Sequence, residues 1–83
     1  MKDIVLTELV RTCYACPSQW SGQTQDGKNF YARYRHNAWH VEIDGEIISQ
    51  GSTNRTADGF CTFEELCAWA QVSGVMLLLA PGV

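Results

Sequence analysis

The 83-residue sequence predicts an α+β fold, in which a three- or four-stranded antiparallel β-meander carries one C-terminal α-helix packed on one face. Two observations predict this fold class. Between residues 19 and 50, short segments with alternating apolar and polar side chains are separated by the turn signals Asp26-Gly27, His36-Asn37 and Asp44-Gly45. Further on, Thr62-Phe63-Glu64-Glu65 is a capping box that marks a helix start. A chain of this length suits one domain, and residues 1–83 are expected to form it.

The first element, residues 3–12, is compatible with two structures. It fits either a short helix capped by Asp3 or a strand of β-branched residues, because a short apolar run does not distinguish the two periods. The pattern slightly favours a helix. Pro17 then ends the segment, since proline lacks the N–H that a strand ladder needs and restricts the residue before it. The apolar residues of this element are Ile4, Val5, Leu6, Leu9 and Val10.

Alternation within the meander sorts its side chains onto two faces, because successive residues of a strand point in opposite directions. Strands are expected over residues 20–24, 28–35, 39–43 and 46–49. One face should be core, and the other can stay in water, as antiparallel sheets allow. The predicted core set is Phe30, Ala32, Tyr34, Trp39, Val41 and Ile43. The predicted outer set is Tyr31, Arg33, Arg35, His40 and Glu42.

The last third of the chain predicts a loop, a helix and an apolar tail. Residues 51–59 are almost entirely polar or glycine, which is typical of a loop. The helix is expected over residues 62–73, with Gly74 just beyond its end. Residues 75–79 are apolar and could add an extra strand. The helical stripe that should face the meander is Phe63, Leu66, Cys67 and Ala70.

Composition and charge exclude several classes of function. The net charge of −3 argues against general affinity for nucleic acid, which needs clustered Lys and Arg. No apolar run approaches the roughly 20 residues that span a bilayer, so no membrane association is expected. Acidic residues near the N-terminus do not suit a signal peptide, and a cytoplasmic location is expected.

Four cysteines raise the alternative of a zinc-stabilised structural module. Cys13 and Cys16 have the spacing of a zinc knuckle, but Cys61 and Cys67 are separated by five residues, and Cys67 lies on the apolar helical stripe. Buried or loop thiols, reduced in the cytosol, are therefore favoured over a metal site. We expect no metal and no other cofactor.

The sequence does not predict an enzyme. No serine lies in a glycine elbow, no glycine-rich loop could hold a phosphate, and no carboxylate pair has a distinctive setting. A redox role for Cys13 and Cys16 would need a helix beginning at the first cysteine, but Pro17 interrupts the segment directly afterwards.

The outer sheet face is the candidate binding site. Aromatic and cationic side chains there could contact a protein partner, or less favourably a single-stranded nucleic acid, although a solvated sheet face has a similar composition. The hairpin after this face adds acidic residues that could contact a basic surface. A free edge near residues 47–50 would allow self-pairing, so the chain is expected to be a monomer or a homodimer. The candidate partner-binding residues are Tyr31, Arg33, Arg35, His40, Glu42 and Asp44.

Two resemblances add to this interpretation. The segment from Trp20 through Asp26-Gly27 to His36-Asn37 resembles the first two strands of a WW domain, which implies ligand contacts by Tyr31 and Trp39. The run Cys16-Pro17-Ser18-Gln19-Trp20, then Asp26-Gly27 and Tyr31-Ala32-Arg33-Tyr34-Arg35, resembles small uncharacterised proteins of bacteria, their phages and mobile elements. Small acidic proteins of such origin include inhibitors of host defence that occlude a partner. The resemblance implies a non-catalytic protein-binding module that inhibits or modulates a bacterial machine.

Overall fold

The computed structural model describes residues 2–13, 18–53 and 60–83. Within them the chain forms six strands and one helix, and the elements are numbered in chain order. They are β1 (Lys2–Cys13), β2 (Ser18–Thr24), β3 (Asn29–Arg35), β4 (Ala38–Ile43), β5 (Glu46–Ser52), α1 (Phe63–Val72) and β6 (Val75–Leu79).

All six described strands belong to one sheet, in the order β5-β4-β3-β2-β1-β6. Neighbours pair antiparallel except β1 and β6, which pair in parallel from Lys2 opposite Val75 to Leu6 opposite Leu79. The α+β class with one C-terminal helix is confirmed. The predicted strand number is wrong, because β1 and β6 extend the expected meander on one side.

The slight preference for a helix in residues 3–12 is also wrong. This segment is β1, which pairs with β6 over its first five residues and with β2 from Leu6 to Cys13. The pairing with β6 joins residues near opposite ends of the sequence, and tertiary contacts of this kind override a weak local pattern. The possible extra strand at residues 75–79 is confirmed: it is β6, which pairs with β1.

The turns of the meander are confirmed. His36 and Asn37 have φ of 53° and 63°, and Asp44 and Gly45 have φ of 51° and 83°. Two successive positive values match the type I′ turn, whose twist suits a two-residue hairpin. The His36-Asn37 turn sets the β3–β4 register, which runs from Phe30 opposite Ile43 to Arg35 opposite Ala38.

Strand β5 is longer than the sequence predicts. Gly51 and Ser52 continue the strand opposite Trp39 and Ala38, where a loop was expected. The backbone of β5 also shifts register between the partners of Val41 and Glu42, which is a β-bulge. Residues 54–59 of the predicted loop lie outside the described residues.

The pairing of β1 with β2 is also irregular. The pairing passes from Leu6 opposite Thr24 to Glu8 opposite Gln23, which leaves one extra residue in β1. Here Gly22 lies so close to the Glu8 carbonyl that a Cβ on it would overlap the oxygen. Glycine is therefore required at this close approach of two backbones.

The capping box of the helix is confirmed. The Glu65 N–H donates to Thr62 Oγ1 at 3.1 Å, and the Thr62 N–H donates to Glu65 Oε1 at 2.9 Å. The helix ends before Gly74, whose φ is 97°. It contacts both β6 and β5, which lie at opposite ends of the strand order, so the sheet curls around it.

The predicted core set lies in this curl. All six members are buried, with exposed fractions of 9% or less. Leu66 and Ala70 of α1 are buried against them, and the Tyr34 and Trp69 rings lie 5.1 Å apart between centroids. No described helix or strand covers the opposite face of the sheet.

A hydrogen bond to Ser18 connects the segment before α1 to β2. The Ser18 hydroxyl accepts hydrogen bonds from the Cys61 N–H at 3.0 Å and from Arg11 Nη2 at 3.1 Å. The Arg11 guanidinium also lies 4.9 Å from the Trp20 ring centroid and 5.1 Å from that of Phe60. Arg11 therefore packs within the fold and does not belong to the open sheet face.

Candidate partner-binding face

The open face is built from cross-strand pairs of β3 and β4. Tyr31 lies opposite Glu42, and Arg33 lies opposite His40. Arg35 follows at the end of β3 and is exposed, whereas the other four side chains are half-buried. These five residues, Tyr31, Arg33, Arg35, His40 and Glu42, are called the outer face below.

One half of the outer face is held together by a hydrogen bond and a ring contact. His40 Nε2 lies 2.7 Å from Glu42 Oε2, and each of the two side chains is 25% exposed. The Tyr31 ring lies 5.8 Å from the His40 ring, with 49° between the planes. Both contacts restrict the imidazole, so this part of the surface is ordered before any partner arrives.

The other half contains a hollow of about 200 Å³ lined by Arg33, Arg35, His36, Ala38 and His40, called the arginine hollow below. Arg35 Nε donates to His36 Nε2 at 3.1 Å. Arg33 Nε is buried and has no hydrogen-bond partner in the described part of the chain. None of these described lining residues carries a carboxylate, and neither Arg33 nor Arg35 forms an ion pair with a described carboxylate.

Asp44 does not join the other candidate residues. It lies in the turn after β4, at the opposite end of that strand from Ala38, and has a φ of 51°. Its Oδ1 accepts a hydrogen bond from the Asn29 N–H at 2.8 Å. Asp44 therefore connects the turn after β4 to the start of β3, and it lies apart from the arginines.

The cysteines do not come together in the described residues. Cys61 is buried, and Cys67 lies half-buried on α1. Burial, together with the smaller effect of the nearby Glu64 carboxylate, raises the pKa of the Cys67 thiol to about 11. Among residues 2–13, 18–53 and 60–83, no three His, Cys, Asp or Glu side chains form a group suited to a metal. Cys16 and the side chain of Cys13 lie outside the described residues.

The sequence interpretation missed a groove between α1 and the edge of β5. Trp39, Trp69 and Val72 line this hollow of about 290 Å³, together with Gly51 and Ser73. The Trp39 and Trp69 rings are stacked, with centroids 6.4 Å apart. The residue in the sequence that could have indicated this groove is Gly51. A Cβ at this position would lie 2.9 Å from Trp39 Nε1, so only glycine leaves room for the indole. The groove was missed because residues 51–59 were expected to be a loop.

A larger hollow, of about 490 Å³, lies where the start of β1 passes the end of β2. Lys2, Asp26 and Lys28 are among its lining residues. A hydrogen bond from the Thr24 hydroxyl lowers the pKa of the Asp26 carboxyl, and Lys28 Nζ lies 3.8 Å from that carboxylate. The sequence could not indicate this hollow, because it exists only when residues 2–6 form a strand.

No helix in the described ranges is long and apolar enough to cross a membrane.

The candidate site consists of an ordered, mixed aromatic and cationic sheet face with a separate acidic turn. Comparison with known proteins adds no relative: no protein-family model matches this chain, and neither does any curated protein or solved structure.

Proposed function

We propose that this chain is a non-catalytic protein-binding module that binds a partner protein through the outer face. The observation that carries the proposal is the open sheet face, on which aromatic, cationic and acidic side chains lie side by side without a described element covering them. The partner we propose is a bacterial machine, such as one of host defence, which the module inhibits or modulates by occlusion. The resemblance to small phage and bacterial proteins supports this choice of partner.

The types of side chain on this face suit a protein interface. Tyrosine and arginine are enriched at interfaces and among the residues that contribute most to binding energy. Tyr31, His40 and Glu42 are already fixed by their mutual contacts, so binding would cost less side-chain entropy than with free side chains. Arg33 and Arg35 add positive charge beside that ordered cluster.

The sheet itself supports an occluding role. β3 and β4 are central strands with partners on both sides, so the face they carry is held by ladders in both directions. A face of this kind binds as a preformed surface. It would act by covering a site on the partner and needs no chemistry of its own.

The proposal is tested by affinity capture of tagged protein from a bacterial lysate. We expect wild-type protein to recover one protein in stoichiometric amount, and Tyr31→Ala plus Arg35→Ala to lose it. Lys2→Ala plus Lys28→Ala is the matched control, because both lysines lie at the other end of the sheet. This variant removes two positive charges, whereas the outer-face variant removes one, so a loss of net charge alone would affect the control more. Recovery of no stoichiometric protein, or equal recovery by the outer-face variant, would reject the proposal.

Nucleic-acid binding is a second candidate, favoured by the two arginines beside Tyr31. Base stacking on Tyr31 and phosphate contacts to Arg33 and Arg35 would be the expected mode. It ranks second because the net charge of −3 opposes it. A gel shift with single-stranded RNA or DNA should weaken steeply with salt and disappear in Arg33→Ala plus Arg35→Ala. An absent or salt-independent shift excludes this candidate.

A further inference from the structure

The arginine hollow arises from three local features of the β3–β4 hairpin. Arg33 and Arg35 are two residues apart on one strand, so their side chains lie on the same face. His40 is the cross-strand partner of Arg33. The type I′ turn places His36 beside Arg35, where the guanidinium donates to its ring. Two arginines and two histidines therefore surround one hollow.

We infer that the arginine hollow binds a single phosphomonoester group carried by a side chain of the protein partner. The inference rests on the proposed function and deepens it, because it names the chemical group that the outer face recognises.

The charge of the hollow is the first argument. The chain has nine Asp or Glu residues and six Lys or Arg residues, yet none of the described residues that line the hollow carries a carboxylate. The nearby Glu42 carboxylate is bonded to His40. Two guanidinium groups without a carboxylate partner in the described residues leave a local positive potential in an acidic protein. An anionic occupant complements that potential.

The unpartnered donor on Arg33 is the second argument. Buried polar groups in folded proteins are nearly always hydrogen-bonded, and Arg33 Nε is an exception among the described residues. Guanidinium groups match the geometry of phosphate oxygens and bind them through paired N–H donors. Arg33 lines the hollow, so a small movement of its side chain would let an oxyanion there give the buried Nε the acceptor that the described residues do not supply.

Size and surroundings select the kind of ligand. A hollow of about 200 Å³ is smaller than the roughly 300 to 1,000 Å³ of sites for whole small molecules, so it suits one group. A nucleic acid would need a row of cations to follow its backbone, but Lys2 and Lys28 lie at the opposite end of the sheet. A phosphomonoester offers three acceptor oxygens and about two negative charges, which suit two arginines better than one carboxylate does.

The inference is tested by NMR titration of the full chain at constant ionic strength. The probes are inorganic phosphate, a phosphoserine peptide, the same peptide with glutamate, and acetate. We expect saturable shifts confined to residues 33–40 with phosphate and the phosphopeptide, and much weaker binding of glutamate peptide and acetate. Equal affinity for acetate, shifts centred on Lys2 and Lys28, or failure of the phosphopeptide to bind would overturn the inference.

Three variants make the titration specific. Arg35→Ala removes an exposed guanidinium, Arg33→Lys keeps the charge but removes the paired donors, and His36→Asn removes the imidazole but tolerates the positive φ. We expect Arg35→Ala and Arg33→Lys each to weaken phosphopeptide binding about tenfold or more, and His36→Asn to weaken it less. Lys2→Ala plus Lys28→Ala should leave it unchanged. Unchanged binding in both arginine variants, with unchanged melting temperatures, contradicts the inference.

This experiment fails separately from the test of the proposed function. Phosphopeptide binding in the hollow without any captured protein would support the inference about the site and reject the proposed partner. A protein captured through the outer face, but retained by Arg35→Ala and indifferent to phosphate, would overturn the inference and leave the proposed function intact.

Discussion

The thiol of Cys67, on the helical stripe of α1, is half-buried and lies near the Glu64 carboxylate. Both surroundings disfavour the thiolate, and the pKa is raised to about 11. Since the thiolate is the reactive form, we expect alkylation at pH 8 to be about a hundredfold slower than for an ordinary cysteine. The rate should rise steadily with pH up to about 11. Iodoacetamide labelling followed by mass spectrometry of the Cys67 peptide measures this.

Two controls accompany the labelling of Cys67. Urea-unfolded protein should react rapidly, because the burial is lost. Glu64→Gln should accelerate labelling of the folded protein, because the like charge that raises the pKa is removed. Equal labelling rates for folded and unfolded protein would show that the thiol is not protected.

Gly22 allows the closest approach of β1 and β2. We expect Gly22→Ala to lower the free energy of unfolding by roughly 3 kcal/mol, because a Cβ there overlaps the Glu8 carbonyl oxygen. The neighbouring Ser21→Ala is the control, because Ser21 points to the outer side of the same strand. Urea denaturation followed by circular dichroism measures both. A Gly22→Ala variant as stable as Ser21→Ala would contradict the described backbone contact.

Single residues of the meander could be predicted wherever alternation alone decides their side. Phe30 and Val41 were assigned to the core in this way, and both are buried. Asp44 was assigned to the binding site only because it is acidic and near the hairpin. Its hydrogen bond from the Asn29 N–H depends on the turn after β4 lying beside the start of β3, which no local pattern contains. His36 was missed as a lining residue because it was assigned only to the turn between β3 and β4.

Among the elements, β6 has adjacent leucines on opposite faces of the sheet. Leu77 is 6% exposed and faces the core, whereas Leu78 is 40% exposed on the opposite side. We expect Leu77→Ala to cost about 3 kcal/mol of unfolding free energy. The adjacent Leu78→Ala should cost about 1 kcal/mol or less, because the Leu78 side chain is much less buried than that of Leu77. Urea titration of both variants measures the difference, and similar effects of the two would contradict the strand's orientation.

Elements whose signals are local were predictable, and elements made by distant pairing were not. Thr62 and Glu65 form the capping box within one turn of helix, so four residues were enough to place the start of α1. Strand β1 has no such local signature, because its partners are β2 and the far C-terminal β6. The extension of β5 through Ser52 likewise depends on its pairing with Ala38.

For the whole molecule, the edges of the sheet determine whether copies associate. The β5 edge carries a bulge, and the Ser49 hydroxyl is hydrogen-bonded to Ser73 just beyond α1. Bulges and covering elements are devices that discourage edge-to-edge pairing. Of the two states expected from the sequence, we therefore favour the monomer, with a mass of 9.3 kDa across a wide concentration range. Light scattering checks this, and a mass that rises toward twice that value with concentration would contradict it.

The parallel pairing of β1 with β6 also determines how the molecule responds to force. Lys2 begins one strand and Leu79 ends the other, so tension applied at these two residues pulls the strands along their length in opposite directions. The hydrogen bonds between them are then loaded together in shear, rather than opened one after another as in a zipper. A single molecule held at these points should resist stretching until the whole ladder ruptures in one event.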